Sequence, residues 1–276
     1  MSNPNVDNDG FRLVGSKKRI SKRKPTKVPE RDFKIEQQDT IIDLEKSKQR
    51  ILAAVDDLRS SPYYHTVTNS VSTLLKNKSV IEIVCLGLGH LADCAISRYQ
   101  LALLVCLRNL LKPRKVLVHD PVFYKAECQI LNDLELEVIE ENNEGSYVIS
   151  GEGATVVYLP HCPKQLTNNF LWSNWSQNLQ NCVLICNSFA SLFENQPNRI
   201  ILETVPYIHK IQPHTTEIAL ENNFKFTDIF NDTSIHIFPN KALEKLDSKF
   251  WAKADRPCYN DTEEFITSCM IEKLTL

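Results

Sequence analysis

The stretch VIEIVCLGLGHLADCAISRYQLALLVCLRNLL, Val80 to Leu111, decides the fold. Its first seven residues form a nearly continuous apolar run rich in β-branched side chains, the pattern of a strand buried on both faces. Gly87-Leu88-Gly89 follows as a tight turn, with Ala92 at the third position of a G-x-G-x-x-[GA] pattern. From Ala92 to Leu111 the apolar residues recur at helical spacing, which predicts a long amphipathic helix. Strand, glycine turn and helix in that order open a nucleotide-binding βαβ unit. Glycine admits positive φ and close backbone approach there, and the helix N-terminus offers unpaired amides to a phosphate or carboxylate.

The same alternation continues in both directions. Lys115 to His119 reads as a strand, Phe123 to Leu134 as a helix and Leu136 to Ile139 as a short strand. ATVVYLP, NCVLICN and NRIILETVPYI supply further strand signals, with a helix from Lys164 to Leu179 between the first two. FKFTDIFNDTSIHIFP reads as two short strands joined by the polar NDTS turn. Upstream, Ile41, Leu44, Ile51, Leu52, Val55 and Leu58 share one face of a covering helix that Pro62 stops. Together these predict an α/β, Rossmann-like open sheet, mostly parallel, with helices on both faces and a C-terminal hairpin, as in the methyltransferase-like variant. The expected organisation is a basic tail over 1–34, one domain over 35–240 and a C-terminal extension over 241–276.

The formal net charge of −2 conceals an asymmetry: residues 1–31 carry nine Lys/Arg against three Asp/Glu, a local +6 that leaves −8 on the rest. KKRISKRKPTK, Lys17 to Lys27, has no apolar period and contains Pro25, so it reads as a disordered tail, either a nuclear-import or polyanion-binding segment or a solvated one. The acidic body argues against sequence-specific nucleic-acid binding. No apolar run approaches the ~20 residues of a membrane span and no signal-peptide pattern is seen, so the expected location is the cytoplasm, with the nucleus as an addition through the tail. Nine cysteines without repeated close pairs point to a reducing compartment. Cys182 and Cys186 lie in a strand pattern with no second ligand pair, so core packing is expected and no metal site.

In an open α/β sheet, ligands bind beyond the carboxyl ends of the strands. The strands here deliver Gly87, Gly89 and His90, then His119, Asp120 and Pro121, then His161, Cys162 and Pro163, then Asn187 and Ser188. The candidate pocket is therefore Gly87, Gly89, His90, Asp120, His161 and Asn187, all converging on one cleft. It would take a small molecule or nucleotide whose identity stays open, with Asp120 accepting from a ribose. Asp120 lies 31 residues after Gly89, where the dinucleotide fingerprint places its acidic residue about 20 on. Ser188 has no G-x-S-x-G context, so no Ser188–His161–Asp120 triad is expected. His161 and Cys162 are adjacent and read as loop packing, and Trp172 and Trp175 as core aromatics or the border of a planar ligand. No residue is assigned a catalytic role.

GLGHLADCAISRYQLALL, HDPVF, YLPHCPKQLTNNFLWSNW, LICNSF and FNDTSIHIFP, in this order over Ile81 to Pro239, resemble the SRR1-like family, named for reduced sensitivity to red light in plants. The resemblance implies one Rossmann-like domain, a regulatory role in circadian-clock input and haem biosynthesis, protein partners, and no established catalytic activity. Serines that commonly follow Gly-x-Gly in that family are replaced by His90 and Asp93, and ICNSF stands where IGNSF is usual. The alternative is an enzyme using S-adenosylmethionine or a nucleotide at the strand carboxyl ends.

Overall fold

In the computed structural model, which describes residues 42–259, Val80–Leu86 forms a central strand, β1. It pairs in parallel with Lys115–His119 (β2) on one side and Ala154–Tyr158 (β4) on the other. Glu137–Val138 (β3) extends β2, and Cys182–Asn187 (β5) extends β4, both in parallel. Thr233–Ile237 (β7) then runs antiparallel to β5 and pairs with Thr216–Ala219 (β6), giving the order β3-β2-β1-β4-β5-β7-β6. This is the open, mostly parallel Rossmann-like sheet with a terminal hairpin that the alternation predicts. Because β1, β2, β4 and β5 are parallel, their polar C-terminal residues all emerge on one edge.

Two apolar layers cover the sheet. On one face, α1 (Leu44–Arg59), α2 (Pro62–Leu74), α3 (Ala95–Leu111) and α4 (Lys125–Asp133) bury Ile51, Leu58, Tyr63, Leu101 and Ile130 against Cys85, Val118 and Tyr158. On the other, α5 (Lys164–Ser173), α6 (Phe189–Asn195), α7 (Asn198–Thr204), α8 (Pro206–Ile211) and α9 (Asn240–Leu243) pack Phe170, Ile201 and Ile208 on Val84, Val157 and Leu184. Each such fully buried aliphatic side chain contributes roughly 1.5–3 kcal/mol by leaving water. Glu82 is the exception inside β1. Its carboxylate is fully buried and accepts from Tyr147 Oη, Thr155 Oγ1 and the Ser150 amide, with Lys115 Nζ at 3.2 Å, so the β3–β4 connection is tied to the central strand.

Several boundaries differ from expectation, each for a local reason. Pro62 both ends α1 and starts α2 as its first residue, behind the N-cap Ser61, whose Oγ accepts from the Tyr64 amide. Leu52, assigned to the buried face of α1, is 45% exposed. NRIILETVPYI is helical, not a strand: its buried residues Ile201, Val205 and Ile208 are spaced four and three apart, and Pro206 opens α8. The predicted helix to Leu179 ends at Ser173, where the Asn174 side chain takes the Phe170 and Tyr147 carbonyls and the Ile149 amide, and a 3-10 turn covers Gln177–Asn181. The hairpin exists, yet its first strand is β6. FKFTDIF is a connecting segment instead, and it buries Phe224, Ile229 and Phe230 while Phe230 stacks on Tyr63.

The basic run Lys17 to Lys27 and residue Ile41 lie outside the described residues. Of the C-terminal extension, residues 241–259 pack on the second layer, with Trp175 Nε1 donating to the Phe250 carbonyl and Trp172 Nε1 to that of Ala254. No helix among the described residues is long and apolar enough to cross a membrane.

Candidate functional site

The glycine turn is built as the sequence requires. Gly87 and Gly89 hold φ of +79° and +71°, and a Cβ on Gly87 would lie 2.4 Å from Cys162 Sγ, so both the backbone and the neighbour exclude a side chain. The helix begins three residues later than predicted, at Ala95, because the turn's amides face elsewhere. Leu91 and Ala92 donate to Glu127 Oε1 at 2.5 and 2.9 Å, and Tyr124 donates to Glu127 Oε2 at 3.0 Å. The Gly89 amide donates to Asp120 Oδ2 at 2.7 Å, and Val122 to Oδ1 at 3.0 Å. Two carboxylates of the chain itself thus fill the amide cradle that a bound phosphate would use.

Glu127, fully buried, is the residue holding the candidate site that pattern reading misses. Glu at the third position of a helix signals a reach back to the N-cap amide, which Tyr124 fulfils, but nothing local announces the bonds to residues 35 and 36 positions upstream. His90 is held within the turn and lines neither of the two clefts described below. Its ring stacks on Tyr124 with centroids 4.1 Å apart, and Nδ1 sits 3.3 Å from Glu127 Oε2.

Of the remaining candidates, Gly87 and Asp120 line one cavity and His161 and Asn187 another, while Gly89 lines neither. An inner cleft of about 120 Å³ is lined by Gly87, His119, Asp120, Pro121, Cys162 and Leu166, among others. An outer cleft of about 690 Å³ is lined by His161, Lys164, Asn187, Ser188, Gln196 and Asp232, among others. Cys162 and Pro163 border both. They separate the clefts because the β4–α5 loop folds back over the strand ends: Cys162 Sγ donates to the Leu86 carbonyl at 3.1 Å and Asn187 Nδ2 to the Cys162 carbonyl at 3.2 Å. His161 takes φ +48° at this bend, with Nε2 2.9 Å from the Asn231 carbonyl, and Asn187 Oδ1 is buried without a partner among the described residues.

The protonation chemistry of these groups is mostly structural. Burial, with Asp120 adding to it, pushes the Cys162 thiol well above its ordinary range, so it is no ready nucleophile beside His161. Ser188 caps α6 and donates to Glu217 Oε1 at 2.6 Å, which commits its hydroxyl away from His161. Burial raises the Glu217 carboxyl, but bonds from His236, Ser188 and the Ala190 amide outweigh it and hold the group at about 2. Cys182 and Cys186 are buried in β5 as packing residues. Trp175 is buried in the second core and Trp172 is partly exposed beneath Lys253 Nζ, 4.0 Å from its ring centroid.

A family model, the SRR1 domain, matches residues 55–237. The chain belongs to the SRR1 family. An SRR1-like protein of Drosophila melanogaster is 30% identical over 275 residues, covering 97% of this chain and 95% of that one. Protein SENSITIVITY TO RED LIGHT REDUCED 1 of Arabidopsis thaliana is 25% identical over 215 residues, covering 72% of this chain and 77% of its own length. Among solved structures, an O-methyltransferase family protein from Burkholderia thailandensis aligns with 70% of this chain and 57% of its own at 9% identity and a TM-score of 0.32. The SRR1 match takes in the glycine turn, Asp120, Glu127 and both clefts up to Ile237.

Proposed function

We propose that this SRR1-family protein is a regulator rather than a nucleotide-dependent catalyst, acting in light-responsive, clock-linked signalling and in the control of haem biosynthesis, in the cytoplasm and, through its basic tail, the nucleus. The observation that supports this reading is the occupation of the glycine turn by Asp120 and Glu127. A dinucleotide pyrophosphate would have to displace two carboxylates and then lie against their charge, and Asp93 adds a third negative group to the same turn. The name of the Arabidopsis relative, which refers to red-light sensitivity, agrees with a signalling role.

A second reading is favoured by one feature, the reversed β7 inserted between β5 and β6. That arrangement belongs to the methyltransferase-like Rossmann variant, whose donor S-adenosylmethionine carries no phosphate and so does not need the filled amides. Thermal unfolding of the full chain against nicotinamide dinucleotides, ATP, S-adenosylmethionine and haem separates the readings. A ligand at 100 times its Kd stabilises the native state by about 2.7 kcal/mol, or roughly 5–10 °C in a domain of this size. No shift is expected with the phosphate-bearing nucleotides. A saturable shift with a dinucleotide sinks the regulatory reading at its base, and one with S-adenosylmethionine favours the second. Loss of the protein in cells is expected to alter haem content and rhythm period, and leaving both unchanged refutes the assigned pathways.

A further inference from the structure

Part of the β3–β4 connection lies against the inner cleft. Asn142 and Gly145 line the cleft itself, and Glu141, Asn143 and Gly145 line a small recess beside it. Gly145 is seated so closely on the first turn of α5 that a Cβ there would lie 2.7 Å from the Leu166 carbonyl oxygen, and Leu166 lines the same cleft. Within this loop the bonds are short-range: the Glu144 amide donates to Asn142 Oδ1, that of Ser146 to the Asn143 carbonyl and that of Tyr147 to the Gly145 carbonyl. The C-terminal segment reaches the loop from outside. Beyond α9 the described chain forms no further helix or strand, and residues 252–256 are exposed.

The end of that segment is tied to the loop by named contacts. Arg256 Nη2 donates to the Asn143 carbonyl at 2.9 Å and pairs with Glu144 Oε2 at 3.0 Å. Asn169 Nδ2 donates to the Glu144 carbonyl at 2.8 Å, and Tyr259 Oη holds Asn169 by donating to its Oδ1 at 3.2 Å while accepting from Asn168 Nδ2 at 2.7 Å. Asn168 Oδ1 accepts in turn from the Tyr207 and Ile208 amides, and Ile208 lines the outer cleft. The Arg256 side chain is 42% exposed; exposed ion pairs hold weakly and are screened by salt, and segments secured by such contacts open well below the free energy of global unfolding. We propose that residues 252–259 are a latch on the inner cleft. Docked, the segment keeps the 142–145 loop down on Leu166; released, it lets the loop lift and opens the cleft. The two arrangements differ by the Arg256 and Tyr259 contacts, so a partner that binds the released segment favours the open cleft. The latch stands whether or not the regulatory reading above holds.

The test compares the full natural chain with Arg256→Ala and Tyr259→Phe under native conditions. Hydrogen–deuterium exchange reads the 142–146 loop against β4 and β5. Iodoacetamide labelling reads Cys162, whose thiol lies 3.1 Å from the Leu86 carbonyl in the cleft wall, against Cys85, which is buried in β1 and lines neither cleft. Each variant should raise loop exchange roughly 5- to 30-fold, the factor that follows from losing one or two modest contacts. Cys162 labelling should rise with it, while β4, β5 and Cys85 stay as in the natural chain. Unchanged loop exchange overturns the proposal, as does a rise shared equally by β4, β5 and Cys85, which marks general loosening. A faster loop with Cys162 labelled at its natural rate overturns the link to the cleft. Should Arg256→Ala fail to fold, Tyr259→Phe, which loses only a hydroxyl, and the natural chain in rising sodium chloride decide by the same readouts.

Discussion

Replacing Glu127 tests whether the glycine turn is held by an internal carboxylate. Glu127→Gln keeps the shape and one carbonyl oxygen, which can still accept from Leu91 and Ala92, but its NH₂ group then faces the Tyr124 amide, donor to donor. Leaving one buried amide unpaired costs about 1–3 kcal/mol, and hydrogen bonds to a charged acceptor are worth about 1.5–3 kcal/mol each. The expected loss is about 2–3 kcal/mol for Gln. Glu127→Ala strands all three amides and opens a cavity in a fully buried position, so its loss should reach about 4 kcal/mol or more. Urea unfolding followed by far-UV circular dichroism and tryptophan fluorescence measures both. The Ala variant also vacates the amide cradle, so acetate or sulfate should raise its midpoint more than that of the natural sequence. If both variants unfold within about 0.5 kcal/mol of the natural protein, the ordinary range for surface changes, the carboxylate does not hold the turn.

Glu217 gives a pH signature. Its folded-state value of about 2 lies below the ordinary 4.5, so its contribution of about 3 kcal/mol is complete above the unfolded value and fades as pH falls through about 2. Glu217→Gln should therefore flatten the acid limb of a stability-against-pH curve between about pH 4.5 and 2, and an unchanged limb would contradict the assignment. Gly87→Ala should cost about 3 kcal/mol from left-handed strain plus the clash with Cys162 Sγ. Calorimetric unfolding of the double variant with Cys162→Ala should recover the clash part, and strict additivity of the two losses would show that Gly87 and Cys162 do not meet. Among the described cysteines, Cys94 should alkylate ahead of Cys85, Cys162, Cys182 and Cys186, as read by mass spectrometry after brief iodoacetamide exposure. Burial raises its thiol, but Ser97, the Ile96 amide and Arg98 lower it further, whereas burial pushes the other four up. Faster loss of any of those four would refute it.

Local pattern determined the elements whose physics is local. β1, β2, β4 and β5 are continuous apolar runs bounded by polar residues, and a parallel sheet buries such runs on both faces, so their existence and shared carboxyl edge followed from composition along the chain, while their order in the sheet did not. Gly87 and Gly89 were legible because only glycine suits a backbone at positive φ packed against a neighbouring loop. The helices of NRIILETVPYI were not, since a β-branched run of that length suits a strand or a buried helix equally, and only the hairpin's claim on the sheet edge settles which. The site was decided almost wholly by tertiary contacts. Asp120 meets Gly89 across 31 residues and Glu127 meets Leu91 across 36, and neither pairing has a sequence period to betray it. The division of one expected cleft into two depends likewise on Cys162 reaching the Leu86 carbonyl across 76 residues. A strand's apolar pattern is imposed by its own burial and is written in its own residues. Which carboxylate satisfies which amide depends on where the fold brings distant loops together.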